Sequence, residues 1–282
     1  MIRVDDKMAA RTPSKIKTMR IPLFHVDAFA EGPFSGNPAA VCLLDSWLDD
    51  GSLAKVATEN NLSATAFLVP KAGVYELRWF TTRCEIRLCG HATLAAGLVV
   101  LQMLRPYLQT VHFETRHGGL LAVQKDGELL SMDFPALVPG PCLSPPQGLA
   151  ACLGLEAAPL TVLEVNETYI AVLENEGVVA SVVPDLARIE ALHPFVVAIT
   201  ARGKLADFVS RYFAPSYGVP EDPVTGSLHC ALTPYWSKQL GKTKMRARQL
   251  SERGGELLCE MEGDRVILKG KAVLTMEGSL TI

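Results

Sequence analysis

The chain lacks the residue patterns that mark disulfide frameworks and metal centres. Its seven cysteines are odd in number and form no Cys-x-x-Cys pair, and its six histidines form no His-x-x-x-His pattern. Scattered, unpaired thiols are typical of a reducing compartment, which predicts a cytoplasmic location. The sequence therefore predicts neither a disulfide-stapled protein nor a bound metal ion.

Long apolar runs and an excess of basic charge are also absent. The longest apolar run, residues 92–104, is interrupted by Thr93 and Gln102 and is shorter than a bilayer-spanning helix. The formal net charge is −3 without a basic stripe, which argues against a nucleic-acid partner. With 49% hydrophobic and 20% charged residues, the 282-residue chain has the composition of a globular protein with a sizeable core. Its length allows about two domains.

Residues 1–19 differ from the rest of the chain. They carry five basic residues and the pair Asp5-Asp6, and they lack the apolar segment of a secretory signal. The aspartate pair argues against a transit peptide. We expect an N-terminal extension that is flexible or lies upstream of the true start, with Met19 as the working start.

The pattern of strands and helices repeats along the chain, which predicts an α+β fold. In the first half, several short strands precede a long apolar helix from His91 to about Leu104, and a strand meander follows it. The second half repeats this order around a helix from Ser227 to Leu240. Short turns join most strands, so antiparallel pairing should dominate.

A cluster of prolines between residues 135 and 146 predicts a domain boundary. We expect an N-terminal lobe at residues 20–135 and a C-terminal lobe at residues 136–282. The last strand, near residues 273–282, is expected to return to the first lobe. Each lobe would be a mostly antiparallel sheet wrapped around one central helix.

Two segments, residues 88–97 and 224–232, place a glycine and a small polar or imidazole residue at the start of these helices. A helix start presents unpaired backbone N–H groups and the positive end of a dipole. Two such starts, one in each half, predict a shared anionic ligand held across a cleft.

The loop before the second helix carries candidate chemistry. Asp222 precedes a proline and is expected to project over the helix start, where a carboxylate can act as a general base. Gly226 and Ser227 add donors at the same helix start. The alternative is that Asp222 only stabilises turns of its loop through side-chain to backbone bonds.

The first helix start contributes Cys89, Gly90 and His91. Gly90 permits close approach of a ligand, and the helix dipole favours the neutral form of His91, which can then pass a proton. His91 can equally be a structural histidine. Cys89 can have a lowered pKa and be reactive, or it can simply pack. Asn37, in a tight turn, and Ser63, after the first helix, are further candidates to line the cleft.

Several ordered motifs together resemble the phenazine-biosynthesis PhzF-like family, including its mammalian MAWD-binding-protein branch. The resemblance covers nearly the whole chain from Met19. The motifs that carry it are Asp27-Ala28-Phe29, Phe34-Ser35-Gly36-Asn37-Pro38-Ala39-Ala40-Val41, Asn61-Leu62-Ser63, Leu88-Cys89-Gly90-His91-Ala92-Thr93, Ser210-Arg211-Tyr212-Phe213-Ala214-Pro215, Glu221-Asp222-Pro223-Val224-Thr225-Gly226-Ser227 and Arg253-Gly254-Gly255-Glu256.

This resemblance implies a diaminopimelate-epimerase-like fold with two pseudo-symmetric halves, a homodimer and no cofactor. It also implies proton transfer on a small carboxylate between the halves. His91 and Asp222 would assist the proton transfer, as the catalytic residues. Gly90, Gly226 and Ser227 would bind the substrate, with Asn37 near it.

Position 64 departs from the family pattern. The family's principal acid/base is a glutamate directly after Asn-Leu-Ser, and this chain has Ala64 there. Loss of a positioned acid/base typically costs ~10²–10⁴-fold in rate. Glu59, on the preceding helix, has no local reason to reach the same place. A two-thiol epimerase is also disfavoured, because Asp222-Pro223 occupies the position that matches the second cysteine.

Two functions follow from these residues. The first is a cofactor-independent isomerase that moves a proton on a small carboxylate. The second is a non-catalytic small-molecule-binding or protein-interaction module on the same scaffold, which Ala64 favours. A hydrolase is disfavoured, because the chain has no nucleophile elbow and no metal cluster.

Overall fold

The fold is taken from a computed structural model, which describes residues 18–117 and 119–282. The expected N-terminal extension lies outside these residues, except for its last two positions. Met19 already belongs to the folded part, because its backbone N–H donates to the carbonyl oxygen of Ile282 at 2.7 Å and its own carbonyl accepts in return at 2.9 Å. The two ends of the described chain are thus paired.

The described residues form one seventeen-stranded sheet with six α-helices. The strands are β1 Arg20–Ala28, β2 Asn37–Leu43, β3 Ala64–Lys71, β4 Val74–Phe80, β5 Glu85–Ile86, β6 Thr110–Thr115, β7 Gly119–Asp126, β8 Leu129–Pro135, β9 Gly140–Pro141, β10 Thr161–Val165, β11 Thr168–Val172, β12 Val196–Arg202, β13 Phe208–Phe213, β14 Lys244–Gln249, β15 Gly255–Glu262, β16 Arg265–Gly270 and β17 Ala272–Thr281. The helices are α1 Asp50–Asn60, α2 Gly90–Leu98, α3 Leu149–Cys152, α4 Glu176–Ser181, α5 Leu186–Glu190 and α6 Gly226–Leu240.

The strand pairing repeats between the two halves of the sheet. The first half runs β17–β1–β2–β3–β4–β6–β7–β8, with β5 on β4. The second half runs β9–β10–β11–β12–β13–β14–β15–β16, and β16 joins it to β8. In the first half, α1 connects the parallel strands β2 and β3, and α2 lies on the connection between the parallel strands β4 and β6. In the second half, α4 and α5 lie between the parallel strands β11 and β12, and α6 lies between the parallel strands β13 and β14.

This repeat confirms the expected α+β class, the largely antiparallel pairing and the two pseudo-symmetric halves with one central helix each. The last strand pairs with β1, where the sequence predicted its return. The division into lobes at residues 135 and 136 stays a prediction. Within the described part of the chain, no helix is long and apolar enough to cross a membrane.

The central helix of the first half is buried on every side, as its apolar sequence requires. A Cβ at Gly97 would lie 2.7 Å from the Cβ of Val123 on β7, so only glycine permits this close packing. The helix does not continue in α-helical form to Leu104 as expected. Val99–Leu104 is instead a π-helical segment, in which Arg105 N donates to Val100 O at 2.7 Å.

The central helix of the second half contains a proline, which leaves one helix carbonyl free to bond to the segment that follows β8. Pro234 has no N–H to donate to the carbonyl of Cys230, one turn earlier. That carbonyl accepts a hydrogen bond from Leu137 N at 3.0 Å instead. Helix α6 is therefore tied to the proline-rich segment that follows β8.

Candidate active site

The two central helices meet at their N-terminal ends. An ideal Cβ on Gly90 would lie only 3.5 Å from the Cα of Gly226, and the reverse distance is also 3.5 Å. Neither N-cap residue, Cys89 or Thr225, makes a side-chain capping hydrogen bond. The first-turn N–H groups of both helices therefore receive no capping side chain, and two dipole ends of the same sign converge.

A cavity of about 230 Å³ lies at this meeting point. It is lined by both helix starts, by the end of the α1–β3 loop, by the β4–α2 connection, and by the end of β13 with the segment that follows it. The lining residues are Ser63, Thr81, Ile86, Leu88, Cys89, Gly90, His91, Tyr212, Ala214, Tyr217, Val219, Asp222, Thr225, Gly226 and Ser227. The cavity therefore combines backbone donors, hydroxyl groups, one carboxylate and one imidazole.

Asp222 and His91 are linked through the amide of Asn37, which is completely buried at the start of β2. Asn37 Nδ2 donates to Asp222 Oδ1 at 2.7 Å and to the carbonyl oxygen of Val224 at 2.8 Å, and it lies 3.2 Å from His91 Nδ1. Asn37 Oδ1 has no hydrogen-bond partner within the described part of the chain. A buried, unpaired amide oxygen is costly, so this orientation is stabilised by the bonds of the Nδ2 group.

Burial shifts the two titratable groups in opposite directions. Desolvation raises the pKa of Asp222 to about 6, although the Thr225 and Asn37 hydrogen bonds oppose the shift. Desolvation lowers the pKa of His91 to about 3, so the imidazole is neutral near pH 7. The neutral form was expected from the helix dipole, but burial is its main cause. An acid with a pKa close to neutrality beside a neutral imidazole is suited to proton transfer.

A buried glutamine holds the Asp222 loop from beneath. Gln249, at the end of β14, donates from Nε2 to Asp222 O at 2.6 Å and accepts at Oε1 from Thr225 N at 2.9 Å. The Thr225 hydroxyl in turn donates to Asp222 Oδ2 at 2.6 Å. The neighbouring acid Glu221 faces Arg211 with two hydrogen bonds of 2.7 and 2.9 Å and takes no part in this network.

The lowered pKa that the sequence allowed for Cys89 was wrong. Burial raises the pKa of its thiol to about 12, so the sulfur remains a neutral thiol near pH 7. Its Sγ lies 3.5 Å from His91 Nδ1 and 3.8 Å from Nε2. These contacts support the alternative that Cys89 is a packing residue, with His91 as a neighbour.

Ala64 is completely buried at the start of β3, directly after the cavity-lining Ser63. It pairs with Ala39 of β2, and both side chains belong to the core that packs around α2. Asn37 lies two residues before Ala39 and therefore on the same face of β2. A longer side chain at position 64 would start beside this face, whereas Glu59 is exposed on α1.

Most of the residues proposed from the sequence come together at this cavity. Asp222, His91, Gly90, Gly226 and Ser227 line it, as does Ser63. Asn37 and Ala64 are not among the lining residues, although Asn37 contacts Asp222 and Ala64 directly follows Ser63. The roles assigned to these residues stay predictions.

Sequence reasoning missed Tyr212, Tyr217, Thr81 and the partner residue Gln249. Burial and the nearby Asp222 charge raise the pKa of the Tyr212 phenol, which keeps it a neutral hydrogen-bond donor. Tyr212 lies in a motif quoted above, which was its only signal. For Gln249 the sequence contains no comparable signal.

Comparison with known proteins identifies the family of this chain. The model of the phenazine biosynthesis-like proteins (PhzC-PhzF) matches residues 26–278. An uncharacterized isomerase of Pseudomonas aeruginosa is 50% identical and covers 93% of this chain and 99% of its own length. The human phenazine biosynthesis-like domain-containing protein is 38% identical, with 93% and 100% covered. The chain belongs to the phenazine biosynthesis-like, or PhzF-like, isomerase family, as its motifs predicted.

Solved structures agree on the fold. A PhzF-family protein of Enterococcus faecalis has a TM-score of 0.87 and 42% identity, with 93% of this chain and 99% of that chain covered. A hydroxyproline epimerase of Agrobacterium vitis has a TM-score of 0.62 at 8% identity, with 93% of each chain covered. At that identity the likeness concerns the fold alone, and it agrees with the expected epimerase-like architecture.

Proposed function

We propose that this chain is a cofactor-independent isomerase that transfers a proton within a small carboxylate bound in the cavity between α2 and α6. One observation carries the proposal: two uncapped helix starts abut at Gly90 and Gly226, beside a buried carboxylate whose pKa is close to neutral. The helix starts suit a carboxylate group of the substrate. Asp222 is then adjacent to the carbon that loses the proton.

The residues supply each part of such a step. The Asp222 carboxylate takes a proton from a carbon next to an unsaturated or carboxyl-bearing carbon, and the electron pair of that C–H bond spreads to the substrate oxygens. Backbone N–H groups at the two helix starts stabilise the developing negative charge. The Asp222 carboxyl exchanges its proton with solvent and then delivers a proton to another carbon or another face, so no net oxidation occurs. Neutral His91 donates or accepts a hydrogen bond during the transfer.

A binding module on the same scaffold is the second candidate, and Ala64 favours it. A methyl group can neither accept nor deliver a proton, and position 64 is where the resemblance implies the principal acid/base. In this alternative the helix starts bind a carboxylate and no proton moves. The expected homodimer and the cytoplasmic location likewise remain proposals that rest on the resemblance and the cysteine pattern.

Solvent-deuterium incorporation distinguishes the two candidates. A panel of unsaturated and amino carboxylates is incubated in D₂O with the wild-type chain, Ala64→Glu and the matched control Ala64→Gln, and exchange is followed by proton NMR. The isomerase proposal expects exchange into at least one compound by the wild-type chain. It also expects a gain on the order of 10²–10⁴-fold from Ala64→Glu but not from Ala64→Gln, which has the same shape without the ionisable group.

The opposite pattern supports the binding module. If saturation-transfer NMR shows that the wild-type chain binds members of the panel, while neither it nor folded Ala64→Glu exchanges a proton, the isomerase proposal fails. Thermal unfolding of each variant controls for the strain of a larger side chain at a buried position.

A further inference from the structure

Two segments that adjoin the candidate active site contact each other across the two halves of the sheet. Residues 27–37 run from the end of β1 to the first residue of β2 in the first half, and residues 249–255 run from the last residue of β14 to the first residue of β15 in the second half. The first segment ends at Asn37, whose amide bonds to Asp222. The second begins at Gln249, which holds the Asp222 loop.

Arg253 joins the two segments. Its Nη2 donates to Asp27 Oδ1 at 2.8 Å and to Ser35 O at 3.2 Å, and its Nε donates to Gly36 O at 2.9 Å. The other oxygen of Asp27 accepts from Phe34 N at 2.7 Å. The side chain of Asp27 is only 4% exposed and that of Arg253 is 32% exposed, so the carboxylate of this pair is shielded from bulk water.

The backbones of the two segments also contact each other directly. Gly36 N donates to Gly254 O at 2.7 Å, one residue before Asn37. A Cβ at Gly255 would overlap Val224 Cγ2 and would lie 3.4 Å from Gly36 Cα. Val224 supplies the carbonyl that accepts from Asn37. Gly255 therefore packs against both Val224, which accepts the hydrogen bond from Asn37, and Gly36, which precedes Asn37.

The segment that ends at Asn37 is conformationally strained. Phe29 and Phe34 have φ angles of 56° and 69°, in the left-handed region that residues other than glycine rarely adopt. Such residues keep these angles only where surrounding contacts enforce them. Phe34 itself is exposed, so the bond from its N–H to Asp27 and the Arg253 contacts supply that enforcement.

We propose that Arg253 is a positioning residue: through Asp27 and the strained loop it holds the Asn37 amide against Asp222. Arg253 is not among the residues that line the cavity. Its effect on the site is transmitted through Gly36, which is bonded to it and adjacent to Asn37. Only the last of the measurements below rests on the proposed function.

The position of Asn37 can be observed without a substrate. The chain has five asparagines, Asn37, Asn60, Asn61, Asn166 and Asn175, so protein labelled with ¹⁵N-asparagine gives five side-chain amide pairs. The pair missing from an Asn37→Gln sample is that of Asn37. Its hydrogen exchange with D₂O is then compared in wild type, Arg253→Met, Arg253→Lys and Asp27→Asn. Arg253→Met removes the charge and the donors, and Arg253→Lys keeps the charge without the planar fork.

The matched control is Arg265→Met. Arg265 of β16 also forms an ion pair across the two halves, with Asp133 of β8 at 2.8 Å, but this pair is 41% and 53% exposed and is not connected to the loop that ends at Asn37. We expect exchange of the Asn37 amide to accelerate about tenfold or more in Arg253→Met, less in Arg253→Lys, and not in Arg265→Met.

Three outcomes would overturn the proposal. The first is a folded Arg253→Met chain whose Asn37 amide keeps its wild-type shift and exchange rate. The second is equal acceleration in Arg265→Met. The third applies if Arg253→Met does not fold: the Asn37 amide then exchanges at the wild-type rate in both Arg253→Lys and Asp27→Asn.

A kinetic measurement applies to any compound that exchanges deuterium with the wild-type chain. Misplacement of catalytic groups by about 1 Å costs ~10²-fold in rate. Arg253→Met should therefore lower kcat by about that factor with a small change in KM, because the cavity lining is intact. A change confined to KM would contradict a positioning role even if the amide exchange behaves as expected.

Discussion

The starts of α2 and α6 occupy equivalent places in the repeated fold, yet they carry different chemistry. The α2 start provides an imidazole from the helix itself, His91. The α6 start provides hydroxyl groups, and its carboxylate, Asp222, comes from the loop before the helix. The backbone arrangement is therefore duplicated, whereas the groups able to move protons are not.

One physical cause acts on both starts with opposite results. Burial penalises the charged form of any group, so it raises the pKa of the Asp222 carboxyl and lowers that of the His91 imidazole. Both groups are thereby driven toward their neutral forms by the same dry surroundings. The comparison teaches that a paired site can contain an acid and a base that respond to pH in opposite directions.

The largest effect on the difference between the two helix starts should come from removal of the Asp222 carboxylate. Asp222→Asn keeps the shape of the side chain but cannot accept a proton, so deuterium exchange should fall ~10²–10⁴-fold. The measurement is the exchange rate for a compound that the wild-type chain turns over, with circular dichroism to verify the fold.

Its control is the neighbouring acid. Glu221→Gln weakens the pair with Arg211 and leaves Asp222 in place. Exchange should stay within about tenfold of wild type. If the exchange rate falls further in Glu221→Gln than in Asp222→Asn, the assignment of the proton transfer to Asp222 is wrong.

The next test concerns the base at the first helix start. The folded pKa of His91 is lowered, so the unfolded chain binds its proton first and stability is lost as the pH falls from about 6.5 toward 3. His91→Gln removes this loss. Relative to wild type, it should gain about 3 kcal/mol of unfolding free energy between pH 7 and pH 4, measured by urea denaturation.

A second buried histidine gives the matched control. His229, within α6, also has a pKa lowered by burial, to about 4, but it is not a lining residue of the cavity. His229→Gln should relieve acid sensitivity in the same direction. Deuterium exchange should fall in His91→Gln, which alters the cavity lining, and should be unchanged in His229→Gln. Identical unfolding differences at pH 7 and pH 4 for His91→Gln would contradict a buried neutral imidazole.

Local sequence signals were sufficient for the elements on which this comparison depends. Glycine followed by an apolar run located the starts of both central helices to within one residue, at Gly90 and Gly226. They were insufficient for α4 and α5. These helices are capped by Asn175 and Asp185, but at six and five residues they are too short to show a periodic pattern.

Contacts between distant parts of the chain could not be predicted in the same way. Asn37 was expected near the ligand, and the structure gives its amide to Asp222, 185 residues later. Gln249 and Arg253 were not assigned a role. The partners of Gln249 lie about 25 residues earlier, in the loop before α6, and those of Arg253 lie in the other half of the sheet, so only the fold brings them together. Residue types indicate which chemistry is possible, whereas the fold decides which groups meet.

The smallest expected effect is the contribution of Asp222 to the pH dependence of stability. The folded pKa of Asp222 is raised from 3.8 to about 6, so the native state holds its proton more tightly than the unfolded chain. Stability is therefore lost as the pH rises from about 4 to 6, the reverse of the His91 behaviour. Asp222→Asn should be more stable than wild type by about 2–3 kcal/mol above pH 6, and equal to it near pH 3.

The two helix starts should thus give stability curves of opposite slope, and urea denaturation from pH 3 to pH 8 checks this directly. The amide of Asp222→Asn can accept from Asn37 and donate to the Thr225 hydroxyl, as a protonated carboxyl would, so the stability gain measures the charge alone. If Asp222→Asn is instead less stable than wild type at pH 7, the bonds from Asn37 and Thr225 outweigh the cost of burial. The carboxylate would then be a structural anion, and the proton-transfer role would pass to another group.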